Sequence, residues 1–278
     1  MTPDPARRQG FGQPRGLMFV FSLAGGLLLV FIALPLLRLY GAQTPASLMR
    51  VAAMAEVRSA ILLSVEAAFL TAACAALLGV PLAYLLARTS FRGKGLVEAI
   101  VDLPLAVPHT VVGIALLFVF GRTGIIGAPI SELTGYQFWG SAGGIVIAML
   151  YVSAPYTVNA ARVGFEAVDP RLEKVARTLG AGRWAVFLQV SLPLAARGIL
   201  TGLTLTFARS ISEFGSVIVL TYYPMTAPVK IYDMFLQFGL GDASAMAALF
   251  LAVSLSLFVI FRALFASRRG AAAGERRG

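Results

Sequence analysis

Two opposite charges, four residues apart in an apolar stretch, mark the segment of this chain best equipped for chemistry. Arg209 and Glu213 lie in the run 198–220, whose other residues are aliphatic, aromatic, small or hydroxylic. A spacing of four puts them one helical turn apart, where they can pair. On a wheel of 100° per residue, Thr201, Thr204, Thr206, Arg209, Ser212, Glu213 and Ser216 share one side. Leu203, Phe207, Ile211, Phe214 and Ile218 take the other and are expected to face lipid. The charged side can do one of two things. It can line a path for an ion, with Thr201, Thr204, Arg209, Ser212, Glu213 and Ser216 as lining candidates. It can instead form a helix–helix seam around a structural ion pair. The sequence leaves both open.

Other chemistry is sparse. Cys74 is the single cysteine and His109 the single histidine, so an internal disulfide and a Cys/His metal cluster are both excluded. No catalytic, cofactor-binding or metal-ligating residue is expected. A Gly-x4-Gly-Lys-Ser/Thr loop is missing, so ATP hydrolysis is not expected on this chain. Glu66 and Asp102 are further acids in or beside apolar runs, where a charge must be paired, protonated or functional. His109 follows Pro108, where the third apolar span is expected to bend, and reads as a packed polar group sooner than a proton relay.

Composition fixes the elements that must carry these residues. Of 278 residues, 58% are apolar and 13% charged. A disordered chain needs the opposite balance, and a soluble globule needs more polar surface. What remains is an all-α integral membrane protein. Six spans are predicted, at about 17–37, 59–87, 103–120, 142–161, 198–220 and 243–264. Residues 1–16 read as a flexible tail, 17–266 as the transmembrane domain and 267–278 as a basic tail. A short surface helix is expected near 131–134, and Pro155 is expected to kink the fourth span.

The net charge of +10 sorts by side of the membrane. Seventeen of the 23 Lys and Arg fall on the tails and on the loops after spans two and four; five fall on the opposite side, and Arg209 is within a span. This asymmetry puts both termini in the cytoplasm. It also accounts for the basic character without nucleic acid. Tyr136, Phe138, Trp139, Tyr222 and Tyr223 fit interfacial aromatic belts on the other side.

The long loop after the fourth span carries the strongest local signal. Asp169-Pro170 is a helix start, with Asp as cap and Pro in the first turn. Leu172, Val175, Ala176 and Leu179 follow at helical spacing, and Gly180 and Gly182 are expected to end the helix in left-handed geometry. A second helical stretch, 184–192, leads back to the membrane at Pro193. The alternative for such a segment is an amphipathic helix resting on lipid.

This loop resembles the Glu-Ala-Ala-x3-Gly-x9-Ile-x-Leu-Pro loop of ABC-transporter permease subunits. The pattern falls on Lys174, Val175 and Ala176, then Gly180, then Val190, Leu192 and Pro193, with Glu173 one residue ahead of the motif's glutamate. The segment 103–113 is similar to the third span of molybdate, tungstate and sulfate permeases, with His109 where a second proline is expected. The segment 207–215 resembles their fifth span, and Tyr222-Tyr223-Pro224-Met225 leans to the molybdate/tungstate branch.

The resemblance implies a type I ABC importer permease for an oxyanion, molybdate or tungstate first, with sulfate or thiosulfate as the alternative. It implies a coupling loop at about 166–193, with Glu173 through Ala176, Gly180, Val190, Leu192 and Pro193 engaging an ATPase. It implies two ATP-binding cassette subunits holding the ATP, an extracytoplasmic substrate-binding protein and a second permease copy, in the cell membrane. The rival from another class is a proton-coupled secondary transporter using Glu66, Glu213 and Arg209.

Overall fold

A computed structural model describes residues 15–274, with side chains from 16 to 263. The regular elements among them are all helical. The chain divides into two units, Met1–Pro45 and Ala46–Gly278. The first holds α1 (Arg15–Gly41), an apolar helix of 27 residues. At about 1.5 Å per residue it is long enough for a hydrocarbon core of roughly 30 Å.

From the division onward run α2 (Pro45–Ala53), α3 (Ala55–Arg88), α4 (Lys94–Ala106), α5 (His109–Phe120) and α6 (Gly127–Thr134). Then come α7 (Ala142–Glu166), α8 (Pro170–Thr178), α9 (Arg183–Val186), a π-helical turn (Phe187–Ser191) and α10 (Leu192–Ile211). The chain ends with α11 (Gly215–Leu220), α12 (Ala227–Phe238) and α13 (Leu240–Gly274). Among the described residues five stretches are long and apolar enough to cross a membrane: α1, α3, α7, α9–α10 and α13. The pair α4 and α5 makes a sixth when counted as one broken span. The surface helix expected near 131–134 is α6. Residues 1–14 and 275–278, the outer parts of the expected tails, lie outside the described residues.

Two expected spans are not straight rods. The third bends by 116° between α4 and α5. Its cause is Pro108, which forbids helical geometry at the residue before it: Val107 sits at φ −86°, ψ 133°. The fifth begins earlier than expected, at the π-turn, and breaks at Ser212–Phe214 before α11. Pro155 lies inside α7, which is helical from Ala142 to Glu166.

The core is a close three-helix contact of α3, α7 and α10. Small residues make it possible: a Cβ on Gly198 would stand 2.6 Å from the Gly164 Cα. Hydroxyls line the same seam, Thr157 bonding Thr206 at 2.6 Å and Ser153 bonding Ser210 at 2.8 Å. A second cluster packs α5 and α11 on α7 through Val112, Leu116, Met149, Val152, Val217 and Leu220.

The expected apolar, lipid-facing side of the fifth span needs correction. Phe207 and Ile211 are each 2% exposed and lie in a cluster with Ala68 and Met246. The Phe207 ring centroid is 4.9 Å from Phe69 and 4.8 Å from Phe261. Thr206, assigned to the polar side with the lining candidates, is fully buried in the α7 seam. A wheel separates faces but does not say which neighbour covers each, and α10 is covered on several sides.

Candidate functional site

The two helix breaks meet. A Cβ on Gly215, just past the second break, would lie 2.8 Å from His109 Cβ, just past the first. One turn on, a Cβ on Gly113 would lie 2.6 Å from Val219 Cβ. Glycine at both positions lets the α5 and α11 backbones approach this closely. The break after Ile211 has no proline. Ser212 turns its hydroxyl back to the carbonyls of Ala208 and Arg209, at 3.2 and 3.1 Å, a bond that competes with helix continuation.

Glu213 sits in that break with a 1% exposed side chain. Its Oε1 accepts from both Ser216 N–H and Ser216 Oγ–H, each at 2.9 Å. Its Oε2 lies 2.7 Å from Arg209 Nη2 and 2.9 Å from His109 Nδ1. Arg209 Nη2 is also 2.6 Å from His109 Nδ1. That nitrogen serves one neighbour at a time: as N–H it donates to Glu213, and as a bare nitrogen it accepts from Arg209. A carboxylate this deeply buried is tolerable because four donors surround it.

The expected Arg209–Glu213 pair is thus present, and Ser216 belongs to it. Ser212 is adjacent and exposed. Thr201 and Thr204 stand apart, their hydroxyls bonded to the Arg197 and Leu200 carbonyls of their own helix. His109, left between packing and proton relay by the sequence, is the element that ties α5 to the break. Glu66 lies on the exposed side of α3. Asp102 accepts a 2.7 Å hydrogen bond from Asn159, and Glu98 pairs with Arg162 at 2.6 Å, joining α4 to α7.

The second site is the α8–α9 loop. Asp169 caps α8 through a 2.9 Å bond from Arg171 N–H, with Pro170 in the first turn. Gly180 is left-handed at φ +91°. Gly180 N–H bonds Arg177 O and Ala181 N–H bonds Ala176 O, both at 3.1 Å, which closes a Schellman cap. Gly182 does not share this geometry; it is extended at φ −65°, ψ 162° and starts α9. One left-handed residue is enough to turn the chain, and the next must be extended to begin a helix.

The candidate coupling residues divide by side. Glu173 points inward, its side chain 15% exposed, and its Oε1 accepts from Arg88 Nε at 2.8 Å and Ser191 Oγ at 2.9 Å. Arg88 also donates to the Val168 carbonyl at 2.9 Å. Lys174 and Val175 are exposed, Ala176 half-buried. Val190 and Leu192 are half-buried and Pro193 exposed, in the first turn of α10. Leu172, Val175, Leu179 and Trp184 are all exposed, the last two 83% and 77%. They form an apolar surface among Arg171, Lys174 and Arg177.

At the opposite end of the bundle, Arg122 stacks over Trp139 at 4.3 Å, and Phe138 packs on Phe120 and Tyr136. Lys230 bonds Glu56 at 2.6 Å. Burial alone would lower the Lys230 pKa, but the Glu56 hydrogen bond and the Glu56 and Asp233 charges outweigh it, so the net direction is up.

An all-helical bundle with a broken pair of spans around a charged cluster, and an apolar patch on a basic loop, defines a multi-pass membrane transport subunit. A family model described as the inner membrane component of binding-protein-dependent transport systems matches residues 79–270. The chain belongs to that family and is an ABC importer permease. It is 44% identical over 247 residues to the molybdate/tungstate transport system permease protein WtpB of Thermococcus kodakarensis, covering 88% of this chain and 94% of that one. It is 39% identical over 202 residues to the molybdenum transport system permease protein ModB of Escherichia coli K12, covering 71% and 88%. A bacterial ABC transporter that imports the polysaccharide alginate has the same fold, with a TM-score of 0.68, 18% identity and coverage of 92% and 96%.

Proposed function

We propose that this permease carries molybdate or tungstate into the cell. The observation that carries the cargo assignment is the 44% identity along 94% of a permease named for those two anions. The partners follow from the same reading: an extracytoplasmic binding protein delivers the oxyanion, two ATP-binding cassette subunits bind and hydrolyse ATP, and a second copy of this chain completes the path. The Lys/Arg asymmetry supports both termini in the cytoplasm, and the cell membrane follows from the family.

The exposed Leu172, Val175, Leu179 and Trp184 are the surface an ATPase would cover. They support docking over simple rest on lipid, because the Asp169 and Gly180 caps fix one short helix rigidly. Movement of α8 is passed to α3 through Arg88 and to the start of α10 through Ser191, since Glu173 holds both. At the far end of α10 stand Arg209 and Glu213, with Ser212 and Ser216, the polar groups this reading assigns to the path.

The test is uptake of labelled molybdate, tungstate and sulfate by the complex reconstituted with its binding protein and ATPase. ATP-dependent uptake of the first two, with sulfate excluded, is the expected result. Uptake of sulfate or thiosulfate instead would reassign the cargo. Uptake driven by a pH gradient without ATPase would place the protein among proton-coupled carriers and overturn the proposal.

A further inference from the structure

The groups around Glu213 make an anion site that is already filled from within. Arg209 Nη2, His109 Nδ1, Ser216 N–H and Ser216 Oγ–H converge on its two oxygens at 2.7–2.9 Å. A guanidinium, an imidazole, an amide and a hydroxyl are the donors a tetrahedral oxyanion seeks. The exposures differ in a way that sets a direction. Glu213 is 1% exposed, whereas Arg209 is 24% and His109 35% exposed. The acid sits behind, and the two nitrogen donors stand between it and the open side, beside the exposed Ser212. Glu213 also lies in the break between α10 and α11, so its carboxylate can turn away without uncoiling a continuous helix.

We propose that the Glu213 carboxylate is an internal stand-in for the transported dianion. It occupies Arg209 and His109 while no cargo is present and yields them to a tetrahedral dianion that arrives from the open side. The proposal rests on the oxyanion-permease reading above. Exchange has two consequences. Arg209 is never left without an anionic partner at low dielectric, which would be costly. Cargo is also held weakly, because its gain is offset by the carboxylate it displaces, and a transport path needs weak holding. A dianion outcompetes the single carboxylate charge where a monoanion does not, which gives the site a preference by charge.

Glu213→Gln tests this. The amide keeps the side-chain shape and an oxygen to accept from Ser216 but loses the charge. Full-length permease in lipid nanodiscs, without ATPase or binding protein, is titrated calorimetrically with molybdate, tungstate, sulfate and nitrate. Wild type should bind the three dianions weakly and nitrate more weakly still. Glu213→Gln should bind the three dianions at least about tenfold more tightly, and nitrate, released from the same competitor, should gain as well but remain the weakest of the four. Adding Arg209→Gln should abolish the gain, and adding His109→Gln should reduce it severalfold. Glu213→Asp is the companion variant should Glu213→Gln fold poorly: its shorter reach cannot hold both nitrogens, and it should show a smaller gain in the same order.

No gain in either variant, a gain that survives Arg209→Gln, or wild-type binding of nitrate as tight as that of the dianions would each overturn the proposal. A gain for sulfate but not molybdate would leave the stand-in intact and overturn the cargo assignment. Molybdate transport by the wild-type complex, with a flat variant series, would do the reverse.

Discussion

Glu173 offers the sharpest test of how the α8–α9 loop is tied to the bundle, because it turns inward where the motif it resembles led us to expect an ATPase contact. Replacing it with alanine removes the acceptor of two hydrogen bonds, from Arg88 at 2.8 Å and from Ser191 at 2.9 Å. Arg88, 12% exposed in its side chain, is then left with the Val168 carbonyl alone. A hydrogen bond to a charged group is worth about 1.5–3 kcal/mol. Breaking a fully buried pair costs ~3–5 kcal/mol. The node is slightly exposed and Arg88 keeps one acceptor, so the expected loss is about 2–4 kcal/mol from these ranges. At about 2–4 °C per kcal/mol for a chain of this size, the midpoint should fall by roughly 5–15 °C.

Thermal unfolding of the purified permease, followed by the fluorescence of Trp184 beside Phe187, reads this directly. Arg88→Met with Glu173→Met should recover much of the loss, since no lone charge remains. Lys174→Ala, on the exposed side, should leave the midpoint within about 2 °C and instead weaken retention of the ATPase, because surface changes rarely move stability by more than ~0.5 kcal/mol. If Glu173→Ala unfolds like wild type while Lys174→Ala does not, the inward and outward roles assigned to these neighbours are wrong.

Three further outcomes are expected. Gly180→Val places a β-branched residue at φ +91° and should cost about 1–3 kcal/mol of local strain, seen as lost co-purification of the ATPase with membrane insertion intact. Gly198→Val drives a Cβ to 2.6 Å from the Gly164 backbone, and the yield of folded protein should drop sharply, whereas Gly25→Val in α1, with open space around it, should be tolerated. In a Cys74→Ala background, a cysteine at Tyr223 should react with an impermeant thiol reagent applied outside and one at Arg183 should not; the reverse pattern would invert the topology.

What could be read without coordinates was whatever one short stretch decides by itself. The helix start at Asp169-Pro170 and its end at Gly180 depend on the backbone groups of neighbouring residues, and both are where their types place them. The Arg209–Glu213 pair is also local, one turn apart. The bend at Val107 is written in Pro108 and was legible for the same local reason. The break at Ser212–Phe214 has weaker local causes, because its stability rests on His109, which is 104 residues away. Glu173 turns inward for the same kind of reason: its partner Arg88 is 85 residues distant, and no spacing rule reaches that far. Polar residues in a membrane bundle are placed by the partner that satisfies them, so those with distant partners stay illegible until the fold is known.

The two polar nodes stand at opposite ends of one rod. Ser191, in the π-turn, touches Glu173 immediately before α10, and Arg209 lies near its other end. Eighteen residues separate them, about 27 Å of helix at 1.5 Å each. Along this length α10 is held to α7 by a hydroxyl bond from Thr206 and by glycine contacts, and just past Arg209 by one from Ser210. Interhelical hydrogen bonds in membrane bundles average only ~0.6 kcal/mol, against ~3–5 kcal/mol for breaking a buried ion pair. Of the ion pairs, Arg88–Glu173 joins α8 to α3 and Arg209–Glu213 lies within one segment, so the head of α10 is tied to α8 through the Ser191 bond. A push on α8 would reach α10 through that bond, worth about 1.5–3 kcal/mol because its acceptor is charged, ahead of the weaker Thr206 and Ser210 bonds that seat α10 on α7. The π-turn at its head, an irregularity that α-helices carry mostly at functional sites, stands directly between α9 and that helix and ends on Ser191, the residue that makes the bond.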